Sequence, residues 1–201
     1  MSIDRDGNAP ARGRPRSALA REAVLHAADD LLVEVGYEAL TMKGIAERAR
    51  VGRQTVYRWW TSKAEILFEA CGLDARRELT TPPGSPSVVL ADYLERLLVF
   101  LNDSDAGATY LALLGASRVD REVAALLSVS DPLRDSARAV IESLGTAIHA
   151  PDHEFAIALL SGPLVFQALT APGPIPREFT RRHLRTLLTE FEVSTRPSRT
   201  F

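Results

Sequence analysis

The chain has one cysteine, Cys71, among its 201 residues. One cysteine cannot close an internal disulfide, so the reading is a chain for a reducing compartment. No run of 18 apolar residues occurs, so no membrane span is expected. The stretch MSIDRDGNAPARGRPRS holds no apolar segment to read as a secretory signal. Twelve glycines and 12 prolines are too few for a fibrous or low-complexity chain. Four histidines, one cysteine and no nucleophile motif give no acid/base or nucleophilic set, so no enzyme is expected. His149 and His153 stand four apart, but Pro151 lies between them and no third ligand is evident; no metal and no cofactor are assigned. What remains is a chain with 46% apolar and 25% charged residues, able to bury a core, and expected in the cytoplasm.

A formal net charge of −2 hides an uneven distribution. Residues 1–63 hold 11 Lys+Arg against 8 Asp+Glu, a net +3. The other residues hold 13 against 18, a net −5. Arg12, Arg14 and Arg16 crowd into five positions of a Gly/Pro-punctuated stretch. A basic head on an acidic body hints at nucleic-acid contact at one end.

The periodicity is helical throughout, with no strand-like alternation. Residues 1–16 read as a disordered basic arm and 193–201 as a frayed tail. Val24, Leu25, Ala28, Leu31, Leu32 and Val35 recur at three- and four-residue spacings from a start at Ser17 or Ala18. Gly36 stops this helix. Thr41 suits the N-cap of a second helix, through about Ala49. A turn at Arg50-Val51-Gly52 leads to a third, Arg53 to about Trp60, and Lys63 opens a fourth. After the TPPGSPS linker the pattern stays helical to Glu192, for about nine helices in all.

Two short helices joined by a three- or four-residue turn form a helix-turn-helix. In TMKGIAERARVGRQTVYRWW, Ile45, Ala46, Val51, Val56 and Trp60 are the inward set. Arg53, Gln54, Thr55, Arg58 and Trp59 are the outward set. Arg bonds guanine and Gln adenine in bidentate fashion, and Thr offers a methyl and a hydroxyl. Tyr57 and Lys63 suit phosphate oxygens, with Thr41 and Lys43 beside the helix start. Arg14 and Arg16 extend the interface as an arm.

These residues carry a resemblance. The stretch GYEALTMKGIAERARVGRQTVYRWWTSKAEIL is similar to the DNA-binding head of TetR-family transcriptional repressors. It carries Gly36-Tyr37, Leu40-Thr41, Ile45-Ala46, Val51, Thr55-Val56-Tyr57, Trp59-Trp60 and Lys63 in the family's order. Two positions depart: Arg50 stands where the family usually has Gly, and Gly52 where it often has Ser. Arg50 must then take an unusual backbone angle, or the turn must differ.

The resemblance implies an all-α fold: a three-helix head over residues 17–62 and a helical regulatory and dimerisation bundle over 63–192. It implies a homodimer on double-stranded DNA, reading half-sites about 34–36 Å apart, or a multiple of that. It further implies a repressor released from a palindromic operator by a small hydrophobic effector, not yet identified. For that effector the candidate pocket is Phe68, Tyr93, Phe100, Tyr110, Leu114, Phe166 and Gln167. Phe155, Leu159, Leu160, Pro163, Phe166, Leu184, Leu187 and Leu188 offer apolar surface for core and dimer alike, and all but Leu160 are the candidate dimer surface. The alternative is a ligand-independent co-regulator or architectural protein with a filled bundle.

Overall fold

The computed structural model describes residues 14–149 and 152–192. The described residues fold as ten α-helices and one 3-10 turn. α1 spans Arg14–Ala39, α2 Met42–Arg48, α3 Arg53–Trp59 and α4 Lys63–Glu78. α5 spans Pro86–Asp103, α6 Asp105–Ala116, α7 Arg121–Val129 and α8 Pro132–Leu144. The 3-10 turn Gly145–Ala147 precedes α9, His153–Thr170, and α10, Arg177–Glu190. Asp131 separates α7 from α8 by capping α8.

α1 begins earlier than its apolar pattern. Residues 14–16, expected in the arm, already belong to its first turn. Pro15 there gives up an N–H that a first turn leaves unpaired anyway. Residues 1–13 and 193–201 lie outside the described residues. Near the other end of α1, Gly36 takes φ 77° and ψ 167°, a conformation open to glycine and strained for any side chain. The chain turns there and makes one more short turn before Leu40.

Two apolar clusters hold the fold. The body cluster joins α5, α8, α9 and α10 through Leu90, Tyr93, Leu97, Ile141, Leu160 and Leu187. The head cluster joins α1, α2 and α3 through Val24, Ala28, Ile45 and Val56. It does not stop at the junction of residues 62 and 63. Ile66, Leu67 and Ala70 of α4, Leu113 of α6 and Val123 of α7 belong to it as well. α5 and α6 approach so closely that a Cβ on Gly107 would meet the Phe100 carbonyl oxygen at 1.8 Å. Only glycine fits that contact.

One polar contact crosses the head–body seam inside the protein. Thr109 of α6 donates to Asp29 Oδ1 of α1 at 2.9 Å, and both residues are buried. Burial raises the Asp29 carboxyl to about 6, against a smaller opposing effect of the Thr109 hydrogen bond. Cys71 is buried too, and burial pushes its thiol up, as for an inert core residue. No helix among the described residues is long and apolar enough to cross a membrane.

Candidate nucleic-acid interface

The turn between α2 and α3 is built from caps and small residues. Thr41 Oγ1 accepts the Gly44 amide at 3.1 Å and so caps α2. Ala46, nearly fully buried, leaves room for α3 to cross, and its carbonyl accepts the Val51 amide at 3.1 Å. Arg50 takes φ 55°, the left-handed angle that its place in the turn demands. Gly52 caps α3 without a side-chain hydrogen bond.

α3 is then pinned by two anchors. Val56 is fully buried and Trp60 almost so. Trp60 Nε1 donates to Glu69 Oε2 at 2.9 Å, and the Arg21 guanidinium lies 4.6 Å from the Trp60 ring centroid. Arg21 also pairs with Glu69, Nε to Oε1 at 2.7 Å. α1, α4 and the end of α3 therefore meet at one buried indole.

With those anchors set, Arg53, Gln54, Tyr57 and Arg58 are exposed on α3. Arg53 is restrained by Glu47 at 2.8 Å. Thr41 and Lys43 are exposed at the start of α2. Thr55 is half-buried. Three expectations change. Trp59 is half-buried rather than outward: it packs on the head core, edge-on to Trp60 at 5.6 Å, with Arg58 across its other side at 5.9 Å. The perpendicular ring contact lets two neighbouring tryptophans share one core edge. Lys63 is half-buried and already engaged: its Nζ donates to the Tyr37 carbonyl at 2.5 Å and sits 4.3 Å from the Tyr37 ring centroid. Arg14 and Arg16 lie in α1 rather than in an arm.

The candidate pocket residues do not share one cavity, although Tyr110 and Phe166 both line an open cleft of about 350 Å³ between α8 and α9. Tyr93 and Phe100 are fully buried in the body core. The Tyr93 hydroxyl meets Ser136 Oγ at 2.9 Å. Tyr110 is buried, with its hydroxyl on Asp131 at 3.2 Å. Leu114 and Gln167 are half-buried, and Phe166 stands out in solvent. Of the set, only Phe68 lines the cleft between α4 and α8, whose volume is about 440 Å³. That cleft is walled by Gly72, Ala75, Leu79, Pro82, Pro132, Ser136, Ala139 and Val140. Small residues and prolines make it, by leaving space rather than by filling it.

The candidate dimer residues divide. Phe155 and Phe166 are 64% and 67% exposed, and Leu169 adds 48%. Leu159, Pro163, Leu184 and Leu188 are half-buried. Leu160 and Leu187 are fully buried in the body core, where they cannot face another molecule. Among the described residues no group of three His, Cys, Asp or Glu side chains is placed to hold a metal.

The family described as bacterial regulatory proteins, tetR family, matches residues 24–70, which span most of α1 through the first half of α4. Over 176 residues the chain is 31% identical to the uncharacterized HTH-type transcriptional regulator YdeS of Bacillus subtilis, covering 85% of this chain and 88% of that one. Over 57 residues it is 39% identical to the HTH-type transcriptional repressor KstR of Mycolicibacterium smegmatis, 28% of each chain. The fold matches the crystal structure of the TetR family transcription regulator SCO0332 with TM-score 0.71 at 23% identity, over 85% of this chain and 97% of that one. It matches Salmonella enterica GusR with TM-score 0.66 at 20% identity, over 92% and 100%. The chain belongs to the TetR family: a DNA-binding, helix-turn-helix regulator of transcription.

Proposed function

We propose that the protein is a homodimeric repressor that reads a two-fold-symmetric operator with α3 and is released by a small hydrophobic effector. The observation that carries this reading is the outward face of α3. Arg53, Gln54, Tyr57 and Arg58 are all exposed on a helix whose inward anchors are fixed. Such side chains reach base edges and phosphates when a recognition helix enters the major groove.

Two further features support the reading. Phe155, Leu159, Gly162, Phe166 and Leu169 recur along α9 at alternating spacings of four and three. This is the seam that paired helices bury. A second copy of α9, with α10 beside it, is the natural cover. The cleft between α4 and α8 supports the effector step. A molecule seated there touches α4, whose first residue is tied to the head through Lys63. Shifting α4 would then change how the two heads are set. A ligand-independent co-regulator is the second reading, favoured by the burial of Tyr93, Phe100 and Tyr110 as ordinary core.

The test is a gel shift on the DNA upstream of the protein's own gene. A complex is expected, with log affinity falling by about 0.9 per phosphate contact for each tenfold rise in salt. No complex at low salt on that fragment or on other candidate promoters would sink the reading. An effector that shifts thermal stability but leaves operator affinity unchanged would favour the second reading.

A further inference from the structure

We propose that Tyr37 and Asp120 form a positioning latch: their hydrogen bond fixes the angle of the reading head against the body, and with it the half-site spacing the protein accepts. The inference rests on the two-fold reading above. It is carried by three contacts that meet on one tyrosine.

The Tyr37 hydroxyl donates to Asp120 Oδ2 at 3.1 Å. Asp120 is not a free surface carboxylate. Its Oδ1 accepts the amides of Glu122 at 2.9 Å and Val123 at 3.3 Å, as the N-cap of α7. One oxygen is thus committed to α7 and the other to the end of α1. Lys63, the first residue of α4, also holds Tyr37, through the carbonyl and ring contacts already described. α1, α4 and α7 therefore converge on Tyr37. Gly36, at φ 77°, swings Tyr37 out of the line of α1 to reach them.

Apolar packing of α1 against α4, α6 and α7 holds the head to the body, and apolar packing is not directional. The Tyr37–Asp120 contact is a second brace, at a distance from the buried Asp29–Thr109 contact along the same seam. Two directional contacts, one on either side of the turn at Gly36, fix an angle where one fixes only a distance. Tyr37 is half-buried and Asp120 half-exposed, so their bond adds little to stability. Its effect should appear in geometry.

Each side of the bond can be cut without touching the fold. Tyr37→Phe removes the hydroxyl alone. Asp120→Ser keeps one oxygen to cap α7, and Ser caps as well as Asp. It has no second oxygen left for tyrosine. The wild-type protein is first used to enrich binding sites from random-sequence DNA. Binding is then measured on the enriched palindrome with one or two base pairs added or removed between half-sites. Each added pair turns one half-site by about a tenth of a helical turn. Wild type should lose at least tenfold per altered pair, and each variant at most about threefold, with the half-site sequence preference unchanged. The double variant should match either single one. Wild-type spacing profiles in both variants, or effects that add in the double variant, would overturn the latch.

If wild type enriches single half-sites instead, the two-fold reading fails while the latch stays testable. Spin labels at Gln54→Cys and Ala147→Cys then report the head-to-body distance within one chain, Cys71 being buried and unreactive. A broader distribution in Tyr37→Phe supports the latch; an unchanged width overturns it.

Discussion

α3 and α9 each present a face that the folded chain leaves uncovered, and the two faces have opposite chemistry. α3 is seven residues long and buries only Val56. Its other face carries two arginines, a glutamine and a tyrosine. α9 is 18 residues long and buries Ala156, Ile157, Leu160 and Leu164 on one side. Its other side carries Phe155, Phe166 and Leu169. The first face attracts an anion, so its affinity falls with salt. The second is held by the removal of apolar area from water, which salt does not weaken. The contrast separates two jobs that a single affinity measurement would merge. In the proposed reading, α3 decides what is bound, and α9 decides whether two heads bind together.

The largest expected effect comes from α9. Replacing both Phe155→Asp and Phe166→Asp places four charges where two copies would meet. Sedimentation should show a monomer, and operator affinity should fall by about 100-fold or more as the second head's effective concentration is lost. A dimer that survives would dissolve the contrast, because α9 would then not be the uncovered seam. Next comes α3. Gln54→Ala should cost about 1–3 kcal/mol at one base pair and relax the choice there. Arg58→Ala should weaken all sequences and lower the salt slope by about 1. Sequence-dependent loss from both substitutions, with an unchanged slope, would mean that Arg58 also reads bases.

The seam between the two regions gives a pH effect. Folded Asp29 keeps its proton up to about pH 6, while the unfolded chain releases it near the ordinary 3.8. The folded state therefore binds more protons between those values, and stability falls as pH rises through that window and levels above it. Asp29→Asn still offers an oxygen to Thr109 and has no charge to bury. It should flatten the slope and stabilise the protein by on the order of 2 kcal/mol above pH 6, read by urea unfolding at pH 4 and pH 7.5. An unchanged slope would place the titration elsewhere. The smallest effect belongs to the turn. Arg50→Gly relieves a left-handed arginine and should add about 1 kcal/mol, or roughly 2–4 °C in Tm. If operator affinity drops at the same time, Arg50 itself touches DNA.

The head was legible because each of its positions answers to a local rule. A cap at Thr41, a small residue at Ala46, a plug at Val51 and an anchor at Val56 each leave one residue type little choice. The strain at Arg50 was legible for the same reason: a side chain stood where the turn wants none. Trp59 and Lys63 misled because their type fits DNA as well as it fits a core edge or a carbonyl pair. The body was less legible. Tyr93, Phe100 and Tyr110 look like a binding site by residue type, yet aromatic side chains fill space. The cleft is lined instead by Gly72, Ala75, Ala139 and prolines, residues that carry no periodic signal. Leu160 and Leu187 could not be told from surface leucines by pattern, because α9 and α10 have apolar residues on more than one side. The Tyr37–Asp120 bond joins residues 83 positions apart, and no local pattern announces such a pair.

Leu113 and Val123 lie in the head's apolar cluster although they come from α6 and α7. The stretch that carries the recognition helix and the stretch that shares its apolar core are therefore not the same length of chain. Cutting the chain after Ser62 would strip Ile66, Leu67, Ala70, Leu113 and Val123 from the head and leave its apolar floor in water. In hydrogen exchange the amides of α1 should open together with those of α6, as one cooperative block that spans the seam. Anything that loosens α6 or α7 then reaches the recognition helix by lowering the stability of a block they share. Regulation of this kind requires no moving lever, only two distant surfaces built on one melting unit.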